Sequence, residues 1–241
     1  SWEFVTAMPR DGMHAGGVWP AIVGTVLLTL GTGIFAVPVG IAVAVYLAEY
    51  ARDTLFTRLI RLAIINLAGI PSVVYGLFGL GLFVIFLQFG TSILAGSLTL
   101  AIMTLPVIIS TSEESLRSVP QSFRIVSFSL GGTQWQTVRR IVLPQALPGI
   151  LTGIILGLER AAGETAPILF TVAAFFLPRL PHSVFDQTMA LPYHLFVIST
   201  QVPGMPVHIQ YGTALVLLIF VLSMNVLAAI MRSRFRAKRQ W

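Results

Sequence analysis

Residues 62–112 read LAIINLAGIPSVVYGLFGLGLFVIFLQFGTSILAGSLTLAIMTLPVIISTS, without one charged side chain. A helix needs about 20 mainly apolar residues to cross a bilayer, so this run is too long for one span and long enough for two. It divides naturally at Gln88-Phe89-Gly90-Thr91-Ser92. Working outward, residues 18–48 are also free of charge, with Gly31, Gly33 and Pro38 as bends. Residues 144–176 and 211–231 supply two further spans, so the pattern predicts five. Composition agrees: of 241 residues 56% are hydrophobic and 10% charged, with a mean hydropathy of +0.87. An ordinary soluble domain carries roughly 25% charged residues. The expected fold class is therefore an all-α integral membrane protein.

Several absences exclude whole classes of chemistry. There is no cysteine, which removes disulfide scaffolds, iron–sulfur clusters and cysteine-liganded zinc. The single lysine, Lys238, has no glycine-rich phosphate loop before it, so the chain does not hold ATP in that way. His14, His182, His194 and His208 all fall in residues 1–17 and 179–210, are read as exposed loop residues, and match no metal-ligand spacing. An intramembrane hydrolase would need a histidine or lysine at membrane depth. No cofactor is implied. Because the chain opens on Ser1 rather than Met, it reads as a fragment, with up to one further span expected upstream.

Basic residues set the orientation. With five spans, residues 49–61, 113–143 and 232–241 share a face. That face carries Arg52, Arg58, Arg61, Arg117, Arg124, Arg139, Arg140, Arg232, Arg234, Arg236, Lys238 and Arg239, against only Arg10 and Arg179 opposite. The richer face is expected to be cytoplasmic. The net charge of +6 is then a topology signal with membrane lipid as partner, not a nucleic-acid footprint. The organisation expected is an external segment 1–17, a membrane domain 18–232 with a cytoplasmic loop 113–143 and an external loop 179–210, and a basic cytoplasmic tail 233–241. Residues 187–199 have an apolar face that suits either a place along the membrane surface or contact with an external partner.

The fourth span carries the most chemistry. Gly149, Gly153, Gly157 and Ala161 recur every fourth residue and form one small-residue stripe, which lets helix backbones approach closely in lipid. Arg160 and Glu164 project near that stripe and are spaced to pair with each other. A charge at membrane depth costs about 2.5–3.5 kcal/mol on insertion scales, and marks function by default. Two readings stand: a buried ion pair that holds helices in register, or the polar lining of a path. In the second, Arg160 meets an anionic solute through its planar fork and Glu164 orients it. Pro167 is expected to kink or break the helix just beyond.

Residues 113–143 form a long loop with helical signals of its own. Pro120 starts a short helix, Gly131-Gly132 end it, and Trp135 leads into the next span. Gly131, nine residues, then Ile141-Val-Leu143-Pro144 resembles the second part of the Glu-Ala-Ala-x3-Gly-x9-Ile-x-Leu-Pro loop of ABC importer permeases. The wider text from Glu114 to Pro144, and Arg160-Ala-Ala-Gly-Glu164-Thr165-Ala-Pro-Ile-Leu-Phe-Thr171, resembles the phosphate branch of that family; Gly-Glu-Thr-Ala-Pro is similar to the PstA-type subunit. Tyr-Leu-Ala-Glu-Tyr at 46–50 fits the same family. The resemblance implies the type I, MetI-like permease fold, with six spans in full length. It also implies a PstC-type permease partner, a cytoplasmic ATPase dimer and an external phosphate-binding protein in a bacterial or archaeal inner membrane. ATP hydrolysis would then belong to a separate subunit, and this chain would be no enzyme.

Carried over residue by residue, the resemblance puts Arg160, Glu164 and Thr165 on the translocation path. It puts the ATPase-docking loop on Ser127, Gly131, Trp135, Ile141, Leu143 and Pro144, while Gly149, Gly153 and Gly157 keep their packing role. The family's Glu-Ala-Ala falls on Ile125-Val126-Ser127, which loses a carboxylate and two small side chains, and Glu159 stands where a small neutral residue is usual. Permeases for other oxyanions, such as phosphonate or molybdate, and a passive channel or structural subunit are the alternatives.

Overall fold

The computed structural model describes residues 2–237. Ten helices carry most of the structure: α1 (Trp2–Thr6), α2 (Trp19–Tyr50), α3 (Leu55–Ala68), α4 (Ser72–Phe86), α5 (Ile93–Arg117), α6 (Gln121–Ser129), α7 (Gln134–Gly163), α8 (Ala166–Thr171), α9 (Leu191–Thr200) and α10 (Val207–Ala237). A two-residue antiparallel pair, β1 (Pro9–Arg10) with β2 (Ala15–Gly16), precedes α2. Helices α2, α5, α7 and α10 are each long and apolar enough to cross a membrane, and α3 with α4 qualifies as a bent pair. The chain is thus an all-α membrane protein with four such helices, or five spans when the bent pair is counted as one.

The structure departs from the sequence expectation at three places. The span expected over residues 62–87 is broken, with α3 and α4 meeting at 101°. Gly69 ends α3, its N–H donating to Asn66. Pro71 then has no N–H to continue the ladder, and it pushes the preceding residue away from helical angles. Helix α3 also begins before the charge-free run, where the Thr54 side chain caps the N–H of Thr57. The fourth span breaks just past Glu164, as expected of Pro167, and is not one helix to residue 176. Helix α7 ends at Gly163, and α8 starts only after Glu164 and Thr165. Pro167 accounts for this, since its ring would collide with the carbonyl four residues back, that of Gly163. Finally, the apolar side of residues 187–199 is buried within the protein. Helix α9 buries Leu191, Tyr193, His194, Val197 and Ile198. His194, read as an exposed loop histidine, is 2% exposed.

The chain divides into two compact units. The first comprises residues 1–35, 70–103 and 158–224. Its core includes Leu28, Tyr75, Leu100, Ile168, Val172, Leu191 and Ile198. Five threonines inside it are satisfied locally: the hydroxyls of Thr25, Thr29, Thr32, Thr99 and Thr171 each donate to the carbonyl one turn earlier. Thr25 also accepts the N–H of Leu191 at 2.8 Å, which fixes the start of α9. The second unit comprises residues 36–69, 104–157 and 225–241, around Ala44, Leu116, Val119, Val142, Ala146 and Ile150. Two guanidiniums in it share one carboxylate: Arg61 and Arg117 lie 2.8 and 3.0 Å from Glu113, and both also donate to the Leu47 carbonyl. Of the basic tail, residues 238–241, with Lys238 and Arg239, lie outside the described residues, as do the side chains of Arg232, Arg234 and Arg236.

Candidate functional site

Within the first unit, the helix break collects the intramembrane charges. Arg160 occupies the last turn of α7, and Glu164 and Thr165 form the connection to α8. Arg160 Nε donates to Glu164 Oε1 at 3.4 Å, longer than the 2.7–2.9 Å of a strong charge-assisted bond. Their side chains are 34% and 18% exposed, so the pair is neither sealed nor fully open. That bond is made through Nε, and the terminal nitrogens are the further donors that a guanidinium can turn to an anion. A small cavity of about 10 Å3, lined by Glu164, Thr25, Ala161, Ile168 and Pro192 among others, sits beside the carboxylate.

Helix α4 comes against this break because it has glycine where α8 passes. A Cβ on Gly76 would lie 3.0 Å from the Ala166 carbonyl oxygen and from the Pro167 Cα, and one on Gly79 would meet Thr99 and Thr171. That approach places buried Tyr75 within electrostatic reach of Arg160. Tyr75 was not among the candidate residues read from the sequence. Its signal is the Gly-Ile-Pro-Ser-Val-Val-Tyr-Gly string at 69–76, an interruption of an otherwise apolar run, of the kind that marks binding sites in transporters.

The second unit holds the other candidate residues. Helix α6 ends where Gly131 takes φ +78°, a region open mainly to glycine, and the Gly132 N–H returns to the Ser127 carbonyl. Thr133 and Gln136 then cap the start of α7 reciprocally. Ser127, where the family has its second alanine, is buried and shares a 2.7 Å hydrogen bond with the Thr137 hydroxyl, tying α6 to α7. Large apolar side chains are exposed around it: Phe123, Ile125, Val126, Phe128 and Leu130 of the α6 segment, and Trp135 of α7. Leu130 is 83% exposed. Ile141, Leu143 and Pro144 are half-buried in α7, beside fully buried Val142. Further along α7, Gly149, Gly153 and Gly157 meet Ser115, Thr111 and Ile108 of α5 in turn. The structure therefore gathers the candidates into two sets, one at the break after α7 and one around α6. Among the described residues, no cluster of three or more His, Asp or Glu side chains could hold a metal ion.

Residues 36–239 match the family described as binding-protein-dependent transport system inner membrane component. The chain belongs to that family. Among its relatives, the phosphate transport system permease protein PstA 1 of Mycobacterium tuberculosis (strain CDC 1551 / Oshkosh) is 38% identical over 219 residues, covering 90% of this chain and 71% of the relative. The probable ABC transporter permease protein YqgI of Bacillus subtilis is 34% identical, covering 95% of this chain and 82% of the relative. In solved structures, the permease fold recurs in the inward-facing MetNI methionine ABC transporter, with a TM-score of 0.69 at 17% identity over 90% of this chain and 97% of that one. It recurs too in a bacterial ABC transporter involved in import of the acidic polysaccharide alginate, with a TM-score of 0.70 at 13% identity over 93% and 80%. At those identities the likeness concerns the fold, which is the MetI-like ABC importer permease fold.

Proposed function

We propose that this permease is the PstA-type subunit of an ATP-driven phosphate importer. The observation that carries this reading is the half-exposed Arg160 guanidinium at the break after α7, braced by Glu164; the relatives named as phosphate transport permeases support the choice of anion. Phosphate suits such a group because two parallel N–H donors match two of its oxygens. In this reading Glu164 fixes the guanidinium's orientation, and Thr165 adds a hydroxyl where the helix is interrupted. A PstC-type permease supplies the other half of the path, and an external phosphate-binding protein delivers the anion. The exposed apolar side chains around α6 dock a cytoplasmic ATPase dimer, whose closure shifts the pair of permeases between outward and inward openings. The chain would lie in a bacterial or archaeal inner membrane with its C-terminus cytoplasmic.

The test is ATP-dependent phosphate uptake by the full-length permease assembled with its partner subunits. Charge-assisted hydrogen bonds are worth about 1.5–3 kcal/mol each, so Arg160→Gln should lower uptake at least tenfold with assembly intact. Exchanging the two charges, Arg160→Glu with Glu164→Arg, should not restore it. Restoration by the exchange would reduce the pair to a brace, and no uptake by the wild type would remove phosphate as substrate.

A further inference from the structure

One ion pair joins α6 to α2, and neither the sequence reading nor the proposed transport path uses it. Arg124, in α6, donates through Nε to Glu49 Oε2 at 3.2 Å and through Nη2 to Glu49 Oε1 at 2.6 Å. The two residues are 75 positions apart in the chain, and their side chains are only 12% and 7% exposed. The same guanidinium donates to the carbonyls of Val119 and Leu116. It is thus bonded at once to the connection before α6, to the end of α5 and to the last turn of α2. A second tie runs in parallel, where Gln134 Nε2 donates to the Glu49 backbone carbonyl at 2.6 Å.

The acceptor end of this link is unusual backbone. Residues 46–50 leave the α-helical ladder for a wider turn, in which the N–H of Ala51 reaches back five residues to Tyr46. Such turns are locally looser than an α-helix and recur at functional sites. Beside the pair lies a cavity of about 370 Å3, lined among others by Glu49, Arg124, Gln121, Phe128 and Gln134.

We propose that the Glu49–Arg124 pair is the link through which a push on α6 is delivered to α2, so that both are positioning residues for energy coupling. The fork geometry suits such a link, because two parallel bonds resist rotation as well as separation. This proposal rests on the reading of α6 as the ATPase-docking helix. A pair that merely stabilised the fold would affect the amount of assembled transporter and not the phosphate moved per ATP hydrolysed.

The experiment measures both quantities in liposomes holding the full-length permease, its partner permease, the ATPase and the phosphate-loaded binding protein. Wild type is compared with Glu49→Gln, Arg124→Lys and the exchange Glu49→Arg with Arg124→Glu, at equal assembled complex. Expected are a fall of at least fivefold in phosphate moved per ATP for Arg124→Lys, which keeps the charge and loses the fork, a smaller fall for Glu49→Gln, and partial recovery in the exchange. An unchanged ratio in Arg124→Lys with normal wild-type transport would overturn the link alone. Wild-type complex that shows no ATP-dependent phosphate uptake would overturn the transport reading, and the link with it.

Discussion

His194 is buried within α9, and its Nδ1 has no hydrogen-bond partner among the described residues. Burial alone pushes its pKa down to about 4 from an ordinary 6.5, because the dry surroundings disfavour the charged ring. As pH falls, the unfolded chain therefore takes up this proton first. The associated stability is complete above about pH 6.5 and is lost progressively down to about pH 4. At pH 5 the loss amounts to about 2 kcal/mol. Thermal melts of detergent-purified wild type at pH 7.5 and 5 should show that loss, and His194→Leu should lack it; an equal drop in both proteins would place the pH sensitivity elsewhere. The sequence places His194 in an external segment, and nothing in its neighbours marks it as buried, since burial depends on Thr25 holding the start of α9 from 166 positions away. Tyr75 differs, because the glycine and proline interruption at 69–76 marks its segment in the sequence. Arg160 and Glu164 were visible because charge in an apolar run is rare, whatever the tertiary structure.

At the scale of elements, the contact between α5 and α7 depends on what glycine lacks. A Cβ on Gly153 would lie 2.8 Å from the Thr111 Cβ, and one on Gly157 would lie 2.9 Å from Ile108 Cγ1. Gly163, at the end of the same helix, would meet nothing within 4 Å. Overpacking of this kind costs about 1–3 kcal/mol. Gly153→Val should accordingly lower the melting temperature and folded yield of the permease, while Gly163→Ala should leave both unchanged. Similar loss from both substitutions would mean that α7 is sensitive to helix propensity and not to close approach. The four-residue spacing of Gly149, Gly153 and Gly157 is a property of the sequence, whereas the side of α5 it meets is not. Element boundaries were legible where polar turns interrupt apolar runs, as at 88–92. They failed at Pro71, which breaks a helix that hydropathy alone extends through it, whereas the break beside Pro167 is legible from the proline itself.

For the whole molecule, the open question of topology is whether the bent pair α3–α4 crosses the bilayer or returns to the side it left, and charge decides between them. If the pair crosses, one face carries twelve basic residues and the other two. If it returns, residues 113–143 and the tail move to the side of the N-terminal segment, and the division becomes ten against four. The rule that basic residues remain cytoplasmic favours the sharper asymmetry, and so favours crossing. The chain contains no cysteine, so single introduced cysteines report sidedness without background. A membrane-impermeant maleimide should reach Gln88→Cys and Ser183→Cys from outside intact cells, and Arg52→Cys and Ser129→Cys only after the membrane is opened. All four positions except that of Gln88, which adopts φ +55°, tolerate the change without backbone strain, so Gln88→Cys is checked for normal assembly first. Labelling of Arg52→Cys and Gln88→Cys from the same side would show that α3–α4 re-enters, and would move α6 to the face opposite Arg52. The Glu49–Arg124 bond, which joins α6 to the end of α2 next to Arg52, requires both on one face, and this independently favours crossing.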